Sequence, residues 1–273
     1  MGNDRPAYSL KAPGASGHSL HLPGRGFPPV DERLVEPEVT RDEVIGGRRV
    51  VAFPAETPHA DEHGELQYVV RAHVAPGYIA AVDLLTRQDS TSDFASDVCV
   101  RRAGVDPQTG MRYLEEMAFE VVSEQKERDV SEKVPRMHRR GVRRIFAVFV
   151  KNRQVCEWSP KSRSWAPLAQ DSRIEDPCLA APLAVAALLD AAAADDAVIE
   201  ALAAKDNPAL RRREAVARSE GMATAVLRVL EIRGIAVSPE QRQEILRCAD
   251  LDRLDRWLAR AALATAADEV LQG

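Results

Sequence analysis

Apolar positions along the chain change their period several times, and each change predicts an element. Val44-Ile45 and Val50-Val51-Ala52-Phe53 flank Gly46-Gly47 and stop at Pro54, a pattern that predicts two strands around a tight turn. Leu66, Val69, Val70 and His73 then recur at three- and four-residue spacing. This is the stripe of a helix over 59–74 that lies on a sheet and ends at Pro76-Gly77. Segments 78–85, 97–101, 116–123, 145–151 and 155–158 are apolar or alternating and predict strands. Loops fall at Asp106-Pro107 and Lys151-Asn152, and one helix is expected between Ser131 and Arg140. Trp158 and Trp165 belong to a hairpin core in this reading, rather than to a base-stacking platform.

Beyond Pro182 the composition turns to alanine, leucine and charge, and Asn207-Pro208 breaks a first alanine-rich helix from a charged segment that starts at Arg211. Thr224 to Arg233 is periodic and ends at Gly234. Ser238-Pro239-Glu240-Gln241 supplies an N-cap, a first-turn proline and a capping-box glutamine. Asp250 is placed to cap a further helix whose apolar face is Leu251, Leu254, Leu258 and Ala261. Residues 1–30, rich in glycine and proline, bury too little to order and are expected to be a flexible tail. A main domain over 31–190 and a helical region over 191–273 complete the expected organisation. The apolar stripe of the last helices suits internal packing, with a homodimer or other homo-oligomer as its competing use.

Composition narrows the class. With 273 residues and 45% hydrophobic content the chain can bury a substantial core. A net charge of −5 argues against a surface coated for nonspecific nucleic-acid binding, although a local basic patch can still serve. Cys99, Cys156, Cys178 and Cys248 are scattered without zinc-ligand or disulfide spacing and read as reduced. The N-terminus lacks the apolar core of a signal peptide and the apolar run 179–189 is too short to cross a bilayer. A cytoplasmic protein with no membrane partner is expected.

Two acids stand out because each interrupts an apolar, strand-like segment: Asp97, and Glu120 in Phe119-Glu120-Val121-Val122. An unpaired carboxylate in a strand core costs several kcal/mol unless a cation or hydrogen bonds replace water, so a shared divalent ion is the reading. Arg136, His138, Arg139, Arg140, Arg143 and Arg144 concentrate positive charge close behind Lys133, where a phosphate backbone would approach. His59 and His63 have the spacing of a metal pair on one helical face. With no third nitrogen or sulfur ligand in view, a capping or site-adjacent role for His59 is preferred to zinc.

The ordered set Asp97-Val98, Glu120-Val121-Val122-Ser123, Arg128-Asp129 with Lys133, then Gly141-Val142 and a strand resembles the Uma-type restriction endonuclease family of the PD-(D/E)xK nuclease superfamily. Upstream, Glu43-Val44-Ile45-Gly46-Gly47-Arg48 followed by Pro58-His59 is similar to the start of that domain, so the likeness covers roughly 40–190. The resemblance implies an α/β, restriction-endonuclease-like mixed central sheet flanked by helices, with a small helical C-terminal region. It implies Mg2+, or Mn2+ in its place, held by Asp97, Glu120 and a backbone carbonyl near Val121 or Val122, with Lys133 acting beside the metal. Glu43, His59 and Ser123 are then site-adjacent, and Arg136, Arg139, Arg140, Arg143 and Arg144 contact DNA. The chain departs from the family pattern at Ser96, Met137, Ile145-Phe146 and Phe149, and it carries Pro135, which a helix tolerates only in its first turn. The expectation is a magnesium-dependent DNA endonuclease. The alternative is a nuclease fold without catalysis that binds DNA, or a protein through its helical tail.

Overall fold

The computed structural model describes residues 27–32, 34, 42–51, 57–122 and 127–272. Ser123 and most of the expected N-terminal tail lie outside them. The chain divides into two compact units, one built from Met1–Gln67 and Gly77–Gln170, the other from Tyr68–Pro76 and Asp171–Gly273.

The first unit holds an eight-stranded sheet. Its strands are β1 (Asp42–Ile45), β2 (Arg48–Val51), β3 (Tyr78–Asp89), β4 (Ser92–Arg102), β5 (Glu115–Val122), β6 (Arg144–Phe149), β7 (Gln154–Ser159) and β8 (Ser164–Pro167). They are ordered β2-β1-β4-β5-β6-β7-β8, with β3 paired to β4. Among the described residues only β5 and β6 run parallel, and helix α2 (Glu127–Arg140) follows β5 and precedes β6. Helix α1 (Thr57–His73) precedes β3. This is the mixed α/β architecture expected, a mostly antiparallel central sheet with helices and a helical C-terminal region.

The β1–β2 turn is the predicted Gly-Gly hairpin: Ile45 faces Arg48 across Gly46 and Gly47, whose φ values of 58° and 80° suit a primed turn. Helix α2 docks through Val130, Val134 and Met137, one stripe at three- and four-residue spacing, onto Ala118, Val122, Ile145 and Ala147. Each such burial contributes roughly 1.5–3 kcal/mol. Because the helix begins at Glu127, Pro135 lies well inside it and not in its first turn. The ring removes the helix hydrogen bond to the Ser131 carbonyl, at a residue that is exposed. The buried stripe on both sides of Pro135 offsets the roughly 3 kcal/mol that an interior proline costs. Trp158 and Trp165 face each other across β7 and β8 with ring centres 5.5 Å apart, edge to face, and Phe149 meets Trp165 the same way. The expected hairpin core is present.

In the second unit β9 (Arg173–Ile174) and β10 (Leu183–Ala184) pair, and helices α3 (Ala191–Ala204), α4 (Pro208–Ile232), α5 (Pro239–Arg247), α6 (Leu251–Ala261) and α7 (Ala267–Leu271) follow. The Ser238–Gln241 capping box and the Asp250 cap form as the sequence predicts. Leu227, Leu230, Ile245, Leu254 and Trp257 make this unit's core. Helix α4 runs unbroken from Pro208, absorbing the charged segment and Thr224 to Ile232 into one element.

Candidate metal and nucleic-acid site

Strand pairing decides where the acids stand. The β4–β5 ladder pairs Val98 with Phe119, so continuing the register by one residue sets Asp97 against Glu120. Asp97 Oδ2 accepts a hydrogen bond from the Val121 N–H at 2.7 Å. Both acids are buried, Asp97 at 9% and Glu120 at 1% exposure. Glu120 stands two residues from both Ala118 and Val122, which pack against α2, so its side chain shares that helix's face of the sheet.

Lys133 lies on the same helix stripe, between Val130 and Val134 in the core-facing turn. It is buried. Its Nζ is 2.8 Å from Glu43 Oε2, donates to Ala95 O at 3.2 Å and stands 5.3 Å from the centre of the Phe94 ring. Glu43 in turn accepts from the Ala95 N–H at 2.9 Å, tying the hairpin carboxylate to β4. Burial is the strongest single influence on this ammonium and favours its neutral form. Glu43, Glu120 and Asp97 together outweigh it and hold the pKa above lysine's ordinary value. Asp129, four residues before Lys133 on the same helix, receives Arg48 at 2.7 Å, and Glu132 receives the same guanidinium at 2.9 Å. Four charged side chains thus come together: Glu43, Asp97, Glu120 and Lys133.

The basic run separates into distinct roles. Arg140 is 2% exposed, donates to Pro28 O at 2.8 Å and lies over the Phe27 ring. Burial first, with Arg112 adding to it against Glu115, pushes its pKa down to about 10. Arg140 therefore leaves the phosphate-facing set, because its guanidinium is committed to the interior. Arg143 pairs with Glu116 at 3.3 Å, and Arg144 pairs with Glu157 at 2.7 Å. Arg136, His138 and Arg139 instead line a cleft of about 580 Å³ together with Ser131, Trp158 and Arg163. His59 lies on α1 with its side chain outside the described residues, as does all of Ser123.

Asp83 was missed by sequence. It lies in β3 between the register pairs Val82–Val98 and Leu84–Ser96, the position facing Asp97. His63 of α1 lies beside it, with Nε2 3.7 Å from Asp83 Oδ1. The signal was available, since Ala80-Ala81-Val82-Asp83-Leu84-Leu85 is also an apolar strand interrupted by one acid. Asp83, Asp97 and Glu120 therefore form a row across three neighbouring strands.

No family model and no curated relative matches the chain. Among solved structures it is similar to a candidate nuclease belonging to DUF820 from Anabaena variabilis ATCC 29413. That likeness covers 54% of this chain and 89% of the other, at 15% identity and a TM-score of 0.46. Among the described residues no helix is long and apolar enough to cross a membrane.

Proposed function

We propose that this chain is a divalent-cation-dependent endonuclease that hydrolyses DNA phosphodiester bonds, with Asp97, Glu120 and the Val121 carbonyl holding Mg2+, or Mn2+ in its place. The observation that carries the reading is the convergence of three carboxylates on one buried ammonium. Glu43, Asp97 and Glu120 bring three negative charges to the single positive charge of Lys133. Two negative charges in excess beside the all-oxygen ligands Asp97, Glu120 and the Val121 carbonyl suit a hard divalent cation. Bound there, such a cation lowers the pKa of water and neutralises phosphate charge.

The residues of the chain account for the rest. Lys133, whose pKa burial lowers but Glu43, Glu120 and Asp97 together hold above lysine's ordinary value, is assigned the charge-stabilising role rather than that of a general base. It serves as a fixed positive charge. Two of its three N–H donors are directed at Glu43 and Ala95, which leaves the third for a phosphoryl oxygen. Glu43 is a positioning residue that fixes the ammonium against β4. Arg136 and Arg139, on the same helix as Lys133, contact the DNA backbone from the cleft they line.

Duplex DNA incubated with the purified chain tests this reading. Cleavage should appear with Mg2+ or Mn2+, vanish in chelator and vanish in Glu120→Gln and Lys133→Met variants that retain the native circular dichroism. Full cleavage by either variant defeats the assignment. DNA bound but left intact by the unaltered chain in both metals supports the alternative, a nuclease-type fold that binds without cutting.

A further inference from the structure

We infer a second cation site, formed by His63, Asp83 and Asp97, that takes a transition-metal ion of the Mn2+ or Zn2+ class in preference to Mg2+. One ligand atom from each residue lies within 4.8 Å of the others, close enough for a single ion to touch all three. The site draws on three separate elements, since His63 is on α1, Asp83 on β3 and Asp97 on β4. It shares only Asp97 with the proposed hydrolytic centre and needs neither Glu120 nor Lys133.

The donor chemistry sets the choice of ion. A neutral imidazole nitrogen with two carboxylates makes a mixed N/O set, which favours Mn2+ and Zn2+, whereas Mg2+ prefers oxygen alone and keeps its own waters. His63 is mostly buried, with 19% of its side chain exposed, so its ring is held in place. Asp83 is 74% exposed, which leaves the site open for an ion to enter and for water to complete its coordination. Asp97 closes the inner side at 9% exposure.

The backbone of Asp83 fits the same purpose. Its φ of 49° is left-handed in the middle of a strand of 12 residues, while the pairs on both sides keep an unbroken antiparallel register. An isolated departure of this kind costs about 1–3 kcal/mol and re-aims one side chain without shifting its neighbours. Sequence spacing offered His59 and His63 as a metal pair that lacked a third ligand; the fold supplies oxygen ligands to His63 from two strands.

Mn2+ binding to the full chain, followed by calorimetry and by pulsed electron paramagnetic resonance, tests the site without reference to DNA cleavage. The unaltered chain should show nitrogen coupling to bound Mn2+ that excess Mg2+ removes only weakly. His63→Ala should abolish the nitrogen coupling, and His63→Ala and Asp83→Asn should each weaken this binding by about tenfold or more. Glu120→Gln should leave it intact. Asp83 is exposed, so its variant keeps the fold testable, and matching melting curves would establish that. Absence of nitrogen coupling in the unaltered chain, or Mn2+ affinity unchanged in both His63→Ala and Asp83→Asn, overturns the inference. Mn2+ binding lost only in Glu120→Gln would overturn this site while leaving the hydrolytic centre standing.

Discussion

Asp97, one position beyond the last residue of β4 paired with β5, accepts the backbone N–H of Val121 on β5 at 2.7 Å. The carboxylate therefore stands in for a strand-to-strand bond as well as facing Glu120. Structure and proposed chemistry meet in one side chain, and different substitutions should separate them.

Asp97→Asn retains an acceptor for the Val121 N–H, whereas Asp97→Ala leaves that buried donor unmet. The alanine variant should lose about 1–3 kcal/mol more stability than the asparagine variant in urea unfolding. Both should lose metal-dependent cleavage. Equal stability of the two variants would show that the hydrogen bond contributes nothing measurable.

Lys133→Met removes the ammonium from beside three carboxylates, and a buried pair broken on one side costs about 3–5 kcal/mol. Glu43→Gln together with Lys133→Met should be less destabilising than the two separate losses added. A double-mutant cycle in guanidinium unfolding measures this coupling, and strict additivity would mean that the Glu43–Lys133 pair at 2.8 Å carries no interaction energy.

Arg136→Gln and Arg139→Gln should weaken duplex binding and each lower the slope of log K against log salt by roughly 0.9. Arg140→Gln should behave differently, lowering the melting temperature while leaving that slope unchanged, because its guanidinium is held by Pro28 O in the interior. Fluorescence anisotropy over a salt series separates the two outcomes.

His73, buried in the second unit with Nδ1 2.8 Å from Val69 O, has its pKa lowered chiefly by burial. Lys205 adds to that effect, while the Val69 bond and Glu200 oppose it. The unfolded chain then binds more protons than the folded one between His73's folded value and about 6.5. Its contribution to stability is complete above about 6.5 and is lost as pH falls through the folded value. His73→Leu should flatten this part of the stability–pH curve relative to the unaltered chain.

The elements that periodicity encodes strongly were legible in the chain. The Gly-Gly hairpin, helix α1, the central strands and the capping signals at Ser238 and Asp250 all fall where local chemistry puts them. Helix α2 was expected to start near Ser131 because Pro135 suggested a first turn. Tertiary packing of Val130, Val134 and Met137 overrides that local preference, and this sets Lys133 in the helix interior facing the sheet. Asp97 and Glu120 could be picked out as acids in apolar strands, but their register could not. Pairing across β4 and β5 is non-local, and so is the Glu43–Lys133 contact, which spans a hairpin and a helix. The arginine run looked uniform in sequence, and only packing distinguishes buried Arg140 from Arg139 in the cleft.

The β1–β2 hairpin meets β4 through the register pair of Val44 with Asp93 and through hydrogen bonds from Ala95 to Glu43 and from Gly46 to Ser92, while β4 and β5 run through the middle of the sheet. Glu43 rides on that outlying hairpin. The ammonium is therefore clamped from the sheet's edge, while Asp97 and Glu120 are set by its middle, so the geometry of the proposed centre depends on how firmly the edge hairpin is anchored.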